Sequence, residues 1–330
     1  MTNIKSVNTL LIAGTGRSGT NILKKVLSLN SEVFALPFEH RFFIDPDGIL
    51  DFYTNMLHHW SPFLFDKKIK QLKKYLLSLA KQKTTKKCFG KILRFLEPSG
   101  LIITNHSYYG WEMGKWFPNY ITFVNNLIDD LIDFSYNGRW PGSQSYKYRN
   151  QIDFHGHFEE KDLIDIFSKN INCLLSQVLE ANKKTCFVED NTWNILFADN
   201  LLKIMQESKI LHIYRDPRDV VASMMKQNWC PSELIKTINY YKAIINYWFI
   251  QRNKIPAEKL LEIKFEAFIN NPEKYTRDIC NFISLDFEDK MLAIDLDKHN
   301  ITRYKTDFSE SQLELINSNL YTELKSLNYE

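Results

Sequence analysis

Short runs of apolar residues alternate along this chain with stretches in which apolar residues recur every three to four positions. The first run is LLIA at residues 10–13, and helical spacing follows at Ile22, Leu23, Val26, Leu27 and Leu29. A continuous apolar run is typical of a strand buried on both faces of a parallel sheet, whereas the recurrence is typical of an amphipathic helix. The pattern predicts a strand, a loop and a helix, and then a second strand at VFAL, residues 33–36.

Three further strands are predicted in the second half of the chain. They are TCFVED at residues 185–190, KILHIYR at residues 209–215 and KLLEIKF at residues 259–265, each beside a helical pattern. Strands that alternate with helices favour an α/β fold, a parallel β-sheet flanked by helices, in which ligands bind at the carboxyl ends of the strands. Residues 66–82 predict an amphipathic helix whose lysines form its solvated face.

The loop after the first strand, GTGRSGT at residues 14–20, has the composition of an anion-binding turn. Its glycines let the backbone approach a ligand closely, and the N–H groups at the start of the following helix point into the loop. The nucleotide-kinase form of this loop needs a lysine where this chain has Thr20, and the basic residue here is Arg17. The loop therefore predicts a phosphate or sulfate site, with a plain strand-to-helix connection as the alternative.

A second anion site is predicted in YRDPRDVVASMM. Arg215 ends a predicted strand, Asp216 is suited to cap the next helix, and Ser223 lies about two turns along it. An arginine at a strand end with a helix hydroxyl beside it can bind a separate phosphate. The alternative is that Arg215 and Arg218 are structural ion-pair partners of Asp216 and Asp219.

Composition narrows the function classes. Of the 330 residues, 44% are hydrophobic. A membrane-spanning helix needs about 20 consecutive apolar residues, and no run in this chain approaches that length, so we expect a globular chain. The N-terminus lacks the apolar core of a signal peptide, and the five cysteines are scattered without a C-x-x-C pair. We therefore expect a cytoplasmic location, reduced thiols and no metal site. A net charge of +3 does not require nucleic acid and suits a small polyanionic ligand.

Together the two predicted anion sites resemble those of the sulfotransferase family, bacterial and carbohydrate types included. In that family a loop like residues 14–20 binds the 5′-phosphosulfate of 3′-phosphoadenosine 5′-phosphosulfate, and an arginine with a serine eight positions later binds its 3′-phosphate. Arg215 and Ser223 have that spacing. The resemblance covers residues 8–45 and 185–310 and not the segment between them.

The resemblance implies one P-loop NTPase-like sulfotransferase domain over residues 1–330. Its donor-binding core would be residues 8–60 and 185–310, and residues 60–184 would be an inserted helical, aromatic-rich segment on the acceptor side. It implies 3′-phosphoadenosine 5′-phosphosulfate as donor, adenosine 3′,5′-bisphosphate as product, and no metal requirement. The donor-binding residues would be Gly14, Thr15, Gly16, Arg17, Ser18, Gly19, Thr20, Asn21, Arg215, Ser223, Arg303, Tyr304 and Lys305, the last three from a late basic loop, ITRYKTDFS at residues 301–309.

The segment after the third strand departs from the family. Many relatives have E-K-T-P there, where this chain has Glu189, Asp190, Asn191 and Thr192. A positive charge near the transferred sulfuryl group is therefore missing at this place, and Arg17 or Lys305 is expected to supply it. Cytosolic relatives also carry their catalytic histidine just after this strand. Here that region offers Thr192 and Trp193, neither of which can act as a base.

Glu39 is the predicted general base. It follows the second predicted strand in LPFEHRFF, where glycan and tyrosine-protein sulfotransferases carry a catalytic glutamate. The alternative is an ion pair with Arg41, and His40 and His106 are second choices for the base. Arg17 is the other predicted catalytic residue, because it would hold the charge of the departing phosphate.

The predicted acceptor is a small molecule or glycan that reacts through a hydroxyl or an amine. Residues 100–160 are crowded with aromatic side chains, most of which we expect in the core of the inserted segment. The candidate acceptor-binding residues are Tyr108, Trp111, Trp140, His155, Asn191 and Thr192. Two other functions compete with sulfuryl transfer, namely a P-loop kinase or hydrolase and a nucleotide-binding relative that has lost its chemistry.

Overall fold

The computed structural model of the chain describes residues 7–80, 111–138, 140, 150–296 and 301–330. The strands are β1 (Asn8–Ala13), β2 (Val33–Ala35), β3 (Phe134–Gly138), β4 (Asn150–Phe154), β5 (Cys186–Glu189), β6 (Ser208–Tyr214) and β7 (Leu260–Lys264). The helices are α1 (Thr20–Leu27), α2 (Ile49–His58), α3 (Pro62–Ala80), α4 (Met113–Trp116), α5 (Tyr120–Asp130), α6 (Glu160–Asn182), α7 (Asn194–Ile204), α8 (Pro217–Met224), α9 (Leu234–Arg252), α10 (Phe265–Asn270), α11 (Pro272–Phe282), α12 (Tyr304–Asp307) and α13 (Glu310–Ser326).

Five strands form a parallel sheet in the order β2-β5-β1-β6-β7. The central strand β1 pairs on both sides, with Leu10 opposite Val188 of β5 and Lys209 of β6. Leu10, Leu11 and Ile12 are fully buried, as expected of a strand covered on both faces. The predicted α/β fold with its parallel sheet is confirmed, and all five predicted strands belong to that sheet.

The described residues fall into two compact units. The first, here called the sheet unit, comprises residues 7–39 and 183–330 and contains the parallel sheet. One face of its sheet shares a core with α1, whose buried residues Leu23, Val26 and Leu27 recur at helical spacing. On the sheet, α7 packs against β1 and β6, and α9 packs against α7.

The second unit, here called the helical unit, comprises residues 40–182. Its helix α3 buries Ile69, Leu72 and Leu76 while Lys73 and Lys74 are exposed, which is the amphipathic pattern predicted for this segment. Aromatic side chains fill the core between its helices, and the ring of Phe52 meets those of Phe65 and Phe167 edge-on at 6.0 and 6.3 Å. The unit also contains an antiparallel pair, β3 and β4, that was not predicted.

Across the described part of the chain, no helix is both long enough and apolar enough to cross a membrane. The prediction of one domain with a donor-binding core and an acceptor-side insertion stays a prediction.

Candidate functional site

The candidate site lies at the carboxyl edge of the parallel sheet. Strand β1 leads into the loop at residues 14–19, β5 leads into residues 190–193, and β6 leads into Arg215. The chain passes from β1 to β2 on one side, and β6 adjoins β1 on the other, so the loop lies where the strand order reverses. Open α/β sheets bind their ligands at such a switch point.

The backbone of residues 14–20 forms a concave turn ahead of α1. Gly16, Arg17 and Gly19 have φ angles of 79°, 60° and 111°, all in the left-handed region. Left-handed residues in a tight turn aim successive N–H groups inward and make an anion-binding concavity. Gly19 precedes α1 without a side-chain cap, so the positive end of the helix dipole faces the same turn.

A buried hydroxyl inside this turn indicates what it can hold. The Ser18 side chain is fully buried, and its Oγ has no hydrogen-bond partner among the described residues. A Cβ atom at Gly14 would overlap that oxygen, so the turn closes around Ser18 only because residue 14 is glycine. A buried hydroxyl without a partner is costly, whereas a phosphate or sulfate oxygen would accept its hydrogen bond. The turn therefore fits an oxyanion.

The other predicted residues of this turn differ in exposure. Thr15 and Thr20 are buried, and the Thr15 hydroxyl donates to the Gly16 carbonyl at 3.3 Å. Asn21 is exposed on the first turn of α1. All three belong to the loop or to the first turn of the helix, where the sequence predicted donor contacts.

Arg17 joins the two predicted anion sites. Its Nε donates a hydrogen bond to Ser223 Oγ on α8 at 2.9 Å, across 206 residues of sequence. The sequence assigned these residues to two different phosphates. In the structure they are in direct contact, so the two sites are parts of one surface.

The ion pairs considered for the second motif are both present. Arg215 Nη2 lies 3.0 Å from Asp219 Oδ2, and Arg218 Nη2 lies 2.8 Å from Asp216 Oδ2. Asp216 also caps α8 as predicted, since its carboxylate accepts the Arg218 backbone N–H. The Arg215 guanidinium also lies over the ring of Phe265, at 5.1 Å from the centroid. An arginine has five N–H donors, so its pairing with Asp219 is compatible with a phosphate contact.

The late basic loop is tied to α8 through Asp219. The buried carboxylate of Asp219 accepts the backbone N–H groups of Thr302 and Tyr304, both at 2.9 Å. The Arg218 guanidinium lies over the Tyr304 ring, at 4.5 Å from its centroid. Residues 302–304 are therefore beside the Arg215 motif.

The two other basic residues near this loop differ in their surroundings. Arg303, the N-cap of α12, has its Nε 2.5 Å from Asp307 Oδ2 at the other end of that helix. Lys305 is exposed.

A buried lysine faces the position where the family has one in E-K-T-P. Lys24 Nζ on α1 lies 2.7 Å from Asp190 Oδ1, and 7% and 2% of the two side chains are exposed. Burial raises the pKa of Asp190, and the Lys24 ammonium opposes that shift. Lys24 thus neutralises the acid that stands at position 190, a contact that sequence reasoning missed.

Glu189, at the end of β5, is a buried acid. Its Oε2 accepts a hydrogen bond from Asn194 Nδ2 at 2.7 Å. Burial is the main cause that raises the Glu189 pKa to about 8, and the neighbouring carboxylates of Asp190 and Glu39 raise it further. Glu189 is therefore mostly protonated at neutral pH. Glu39, which is half-buried, is close enough for its charge to act on Glu189.

Two tryptophans lie beside the turn on the β5 side. The ring of Trp193, next to the buried Thr192, meets that of Trp229 edge-on at a centroid distance of 6.0 Å. Trp193 also donates its backbone N–H to the Asn191 side chain at 3.0 Å. Asn191 and Thr192, predicted to bind acceptor, are therefore next to the turn, together with Trp229, which was not predicted.

The second-choice base His40 belongs to the helical unit. It is buried, and its ring packs against those of Phe42 and Phe43 at 4.7 and 5.6 Å. His106 and Tyr108 lie outside the described residues, so their predicted roles stay predictions.

Three predicted acceptor residues also belong to the helical unit. Trp140 Nε1 donates to Asp66 Oδ2 at 3.3 Å, and the His155 ring stacks on Phe158 at 3.6 Å. Trp111 is half-buried just before α4. Trp140 and His155 are half-buried and have partners within the helical unit, and all three acceptor roles stay predictions.

In the portion that the structure describes, no group of three histidine, cysteine, aspartate or glutamate side chains could hold a metal ion.

A family model described as the sulfotransferase family matches residues 124–289. A comparison with curated proteins found no match.

Three of the solved structures that are similar to this chain are sulfotransferases or sulfotransferase domains. The sulfotransferase domain of the olefin synthase from Synechococcus PCC 7002 is 13% identical, with 95% of each chain covered and a TM-score of 0.48. Sulfotransferase STF1 from Mycobacterium tuberculosis H37Rv is 11% identical over 96% of this chain and 77% of its own, with a TM-score of 0.44. A sulfotransferase from Alicyclobacillus acidocaldarius is 13% identical over 99% of this chain and 97% of its own, with a TM-score of 0.40.

Proposed function

Since this chain belongs to the sulfotransferase family, we propose that it transfers a sulfuryl group from 3′-phosphoadenosine 5′-phosphosulfate to a hydroxyl or amine of a small-molecule or glycan acceptor. The observation that carries the proposal is the turn at residues 14–20. It combines inward-facing backbone, a helix N-terminus and the buried Ser18 hydroxyl without a partner. These features suit the phosphosulfate end of the donor. A cytoplasmic location remains a prediction.

Two groups of residues would hold the donor in this proposal. The amides and hydroxyls of Ser18 and Thr20 would bind its phosphosulfate end, and Arg215 with Ser223 would bind its 3′-phosphate. The hydrogen bond from Arg17 to Ser223 supports this assignment because it brings both groups to one surface. Tyr304 and its neighbours, held on α8 through Asp219, are near enough to the Arg215 motif to contribute.

Arg17 would stabilise the charge that develops on the departing phosphate. Sulfuryl transfer, like phosphoryl transfer, depends on in-line positioning and on stabilising the leaving oxygen. The Lys24 ammonium would not stabilise that charge directly, because it is already paired with Asp190. Arg17, exposed at the turn itself, is better suited to that charge.

Glu39 would take the proton from the acceptor. The raised pKa of Glu189 supports this role, because a neutral Glu189 adds no second negative charge beside Glu39 at neutral pH. An ionised carboxylate is needed to accept a proton in the transfer step.

Calorimetry with two nucleotides tests the proposal. We expect adenosine 3′,5′-bisphosphate to bind without added metal and ATP with magnesium to bind weakly, because Thr20 stands where a nucleotide kinase has its lysine. Binding of ATP with magnesium and none of the bisphosphate would make the chain a P-loop kinase or hydrolase. Binding of the bisphosphate without turnover of any acceptor would favour the relative without chemistry.

A further inference from the structure

Trp229 lies on the anion-binding turn and yet is strongly exposed. A Cβ atom added to Gly16 would come within 2.9 Å of Trp229 Cη2 and 3.2 Å of Thr192 Cγ2, so the indole rests against the backbone of the turn. About half of Trp229, 47%, is nevertheless open to solvent. Gly16, with a φ of 79°, lets the ring lie this close.

Trp193 supports the Trp229 ring from the side. The two ring planes are 80° apart, an edge-to-face arrangement that fixes their relative orientation. Trp193 follows directly on Thr192 after β5, whereas Trp229 follows α8. Residues from two elements thus build one aromatic corner at the edge of the turn.

The strand order indicates which substrate meets this corner. Strand β5 lies between β1 and β2, so Trp193, which follows β5, is on the β2 side of the turn, where Glu39 follows β2. Arg215 ends β6, so the proposed 3′-phosphate contact and Trp193 follow strands on opposite sides of β1. If the donor extends from the turn to Arg215, the tryptophans are available to contact the acceptor.

The segment that carries Trp229 also reaches Arg17. Burial raises the pKa of the Cys230 thiol, and the Arg17 guanidinium is near enough for its charge to oppose that shift. Trp229 therefore lies against Gly16, and Cys230 is in the neighbourhood of Arg17, the next residue of the turn. A molecule on Trp229 would be beside the group that the turn holds.

We propose that Trp229 and Trp193 form the acceptor-binding surface and that the acceptor carries an apolar ring face, as sugars and phenols do, which stacks on Trp229. This inference rests on the proposed function. Indole rings bind the C–H face of a sugar or the face of a phenol, and they leave hydroxyls at the ring edge free. In that arrangement a ring hydroxyl would face the turn, where the Thr192 side chain also lies against Gly16.

Steady-state kinetics with Trp229→Ala test the surface. At saturating donor we expect the KM of a ring acceptor, either 4-nitrophenol or a methyl hexoside, to rise roughly 10- to 100-fold, the usual scale for loss of aromatic stacking on a ring. Trp229→Phe should keep most of the affinity, and Tyr247→Ala, which removes an aromatic of similar exposure on α9, should change nothing. Comparison of the phenol with the hexoside identifies which ring the surface prefers.

The affinity for adenosine 3′,5′-bisphosphate separates this inference from the proposed function. We expect Trp229→Ala to bind the bisphosphate as the wild type does, while ring compounds bind its bisphosphate complex more weakly. A loss of bisphosphate affinity with an unchanged acceptor KM would assign Trp229 to the donor's adenine and overturn the inference. It is overturned as well if open-chain alcohols are turned over as well as ring acceptors, or if no ring compound binds the wild-type bisphosphate complex. Failure of the wild type to bind any bisphosphate would instead count against the proposed function.

Discussion

Lys24 Nζ and Asp190 Oδ1 form a buried ion pair 2.7 Å long between α1 and the end of β5. Lys24 lies four residues after Thr20, so both side chains share one buried face of α1. Residue 190 is the position where many sulfotransferases have the lysine of E-K-T-P. The chain therefore has an acid where the lysine is expected, together with a lysine from a neighbouring helix that neutralises it.

Removal of one partner of this pair should destabilise the fold. Lys24→Met leaves the Asp190 carboxylate buried without its counter-charge, and we expect the free energy of unfolding to fall by about 3 to 5 kcal/mol. Lys25→Met, on the exposed face of the same helix, is the matched control and should be nearly neutral. The double variant Lys24→Met with Asp190→Leu should recover most of the loss. Urea unfolding measures the free energy of unfolding of all three variants. If Lys24→Met were as stable as the wild type, Asp190 would be protonated in the folded chain.

Glu189 should give the fold a pH-dependent stability. The folded pKa of about 8 lies above the ordinary value of 4.5, so between these values the folded chain keeps a proton that the unfolded chain releases. The contribution of Glu189 to the free energy of unfolding is therefore fully present below about pH 4.5. It decreases as the pH rises toward 8 and does not change further above that pH. Glu189→Gln keeps the acceptor for Asn194 but cannot ionise.

The measurement for Glu189 is a comparison of thermal unfolding at pH 5 and pH 9. We expect Glu189→Gln to match the wild type at pH 5 and to exceed it at pH 9, by an amount on the order of a few kcal/mol. The control is Glu258→Gln, which changes an exposed acid and should have the stability of the wild type at both pH 5 and pH 9. A constant difference between Glu189→Gln and the wild type would show that Glu189 is ionised throughout.

The sequence predicted the parts of this fold that depend on local pattern. The inner strands β1 and β5 are short apolar runs, and their burial on both faces could be predicted from composition, whereas the edge strand β7 is only partly buried. Strand β3 was missed because four of its five residues are exposed, which leaves no apolar alternation to detect. The turn at residues 14–20 was predicted because its glycine spacing is itself the cause of its shape.

The contacts missed in the site are those between distant segments. A lysine in an amphipathic helix is normally solvated, and only the arrangement of α1 against β5 reveals that Lys24 is buried with Asp190. Trp229 lies in QNWCPS, which has neither strand nor helix periodicity, so nothing local marks it as part of a site. The Arg17–Ser223 hydrogen bond depends on α8 passing beside the turn, which residue types alone do not state.

Arg17→Ala should remove activity through the chemical step. Arg17 would contact charge that grows on the departing phosphate, and loss of such a donor costs about 2.7 to 4 kcal/mol in kcat. Ser223→Ala removes the hydroxyl that holds Arg17 Nε, so we expect part of the same loss in kcat, about 1 kcal/mol, together with weaker donor binding. The double variant should lose less than the sum of the two losses, because the residues act together.

The control for Arg17 is an arginine of the same kind outside the site. Arg277 on α11 is exposed and paired with Glu273, and Arg277→Ala should leave kcat at saturating donor unchanged. Wild-type kcat in Arg17→Ala would contradict the role given to the turn. Additive losses in the double variant would show that the Arg17–Ser223 hydrogen bond is incidental.

Arg215→Ala should weaken donor binding and spare turnover. The 3′-phosphate does not change during the reaction, so its contacts are shared by the ground state and the transition state. Loss of a charged hydrogen bond costs about 1.5 to 3 kcal/mol, or roughly 10- to 150-fold in affinity for adenosine 3′,5′-bisphosphate. Arg215→Lys keeps the charge beside Asp219, so its affinity for the bisphosphate should lie between those of the wild type and Arg215→Ala. Unchanged calorimetric affinity in Arg215→Ala would leave this arginine as an ion-pair partner of Asp219 and nothing more.

Glu39→Gln should separate binding from catalysis at the base. The amide keeps the shape of the side chain but accepts no proton, so bisphosphate affinity should persist while turnover falls roughly 10²- to 10⁴-fold. A readily ionised acceptor such as 4-nitrophenol should recover much of that loss, because it needs less help in losing its proton. Glu32→Gln, a half-buried acid a few residues earlier, is the matched control and should retain full turnover.

If Glu39→Gln is active while His40→Ala or His106→Ala is inactive and still binds the bisphosphate, the base is that histidine. Since the His40 ring is buried against those of Phe42 and Phe43, circular dichroism must show that the His40→Ala variant is folded before its loss of turnover is attributed to chemistry.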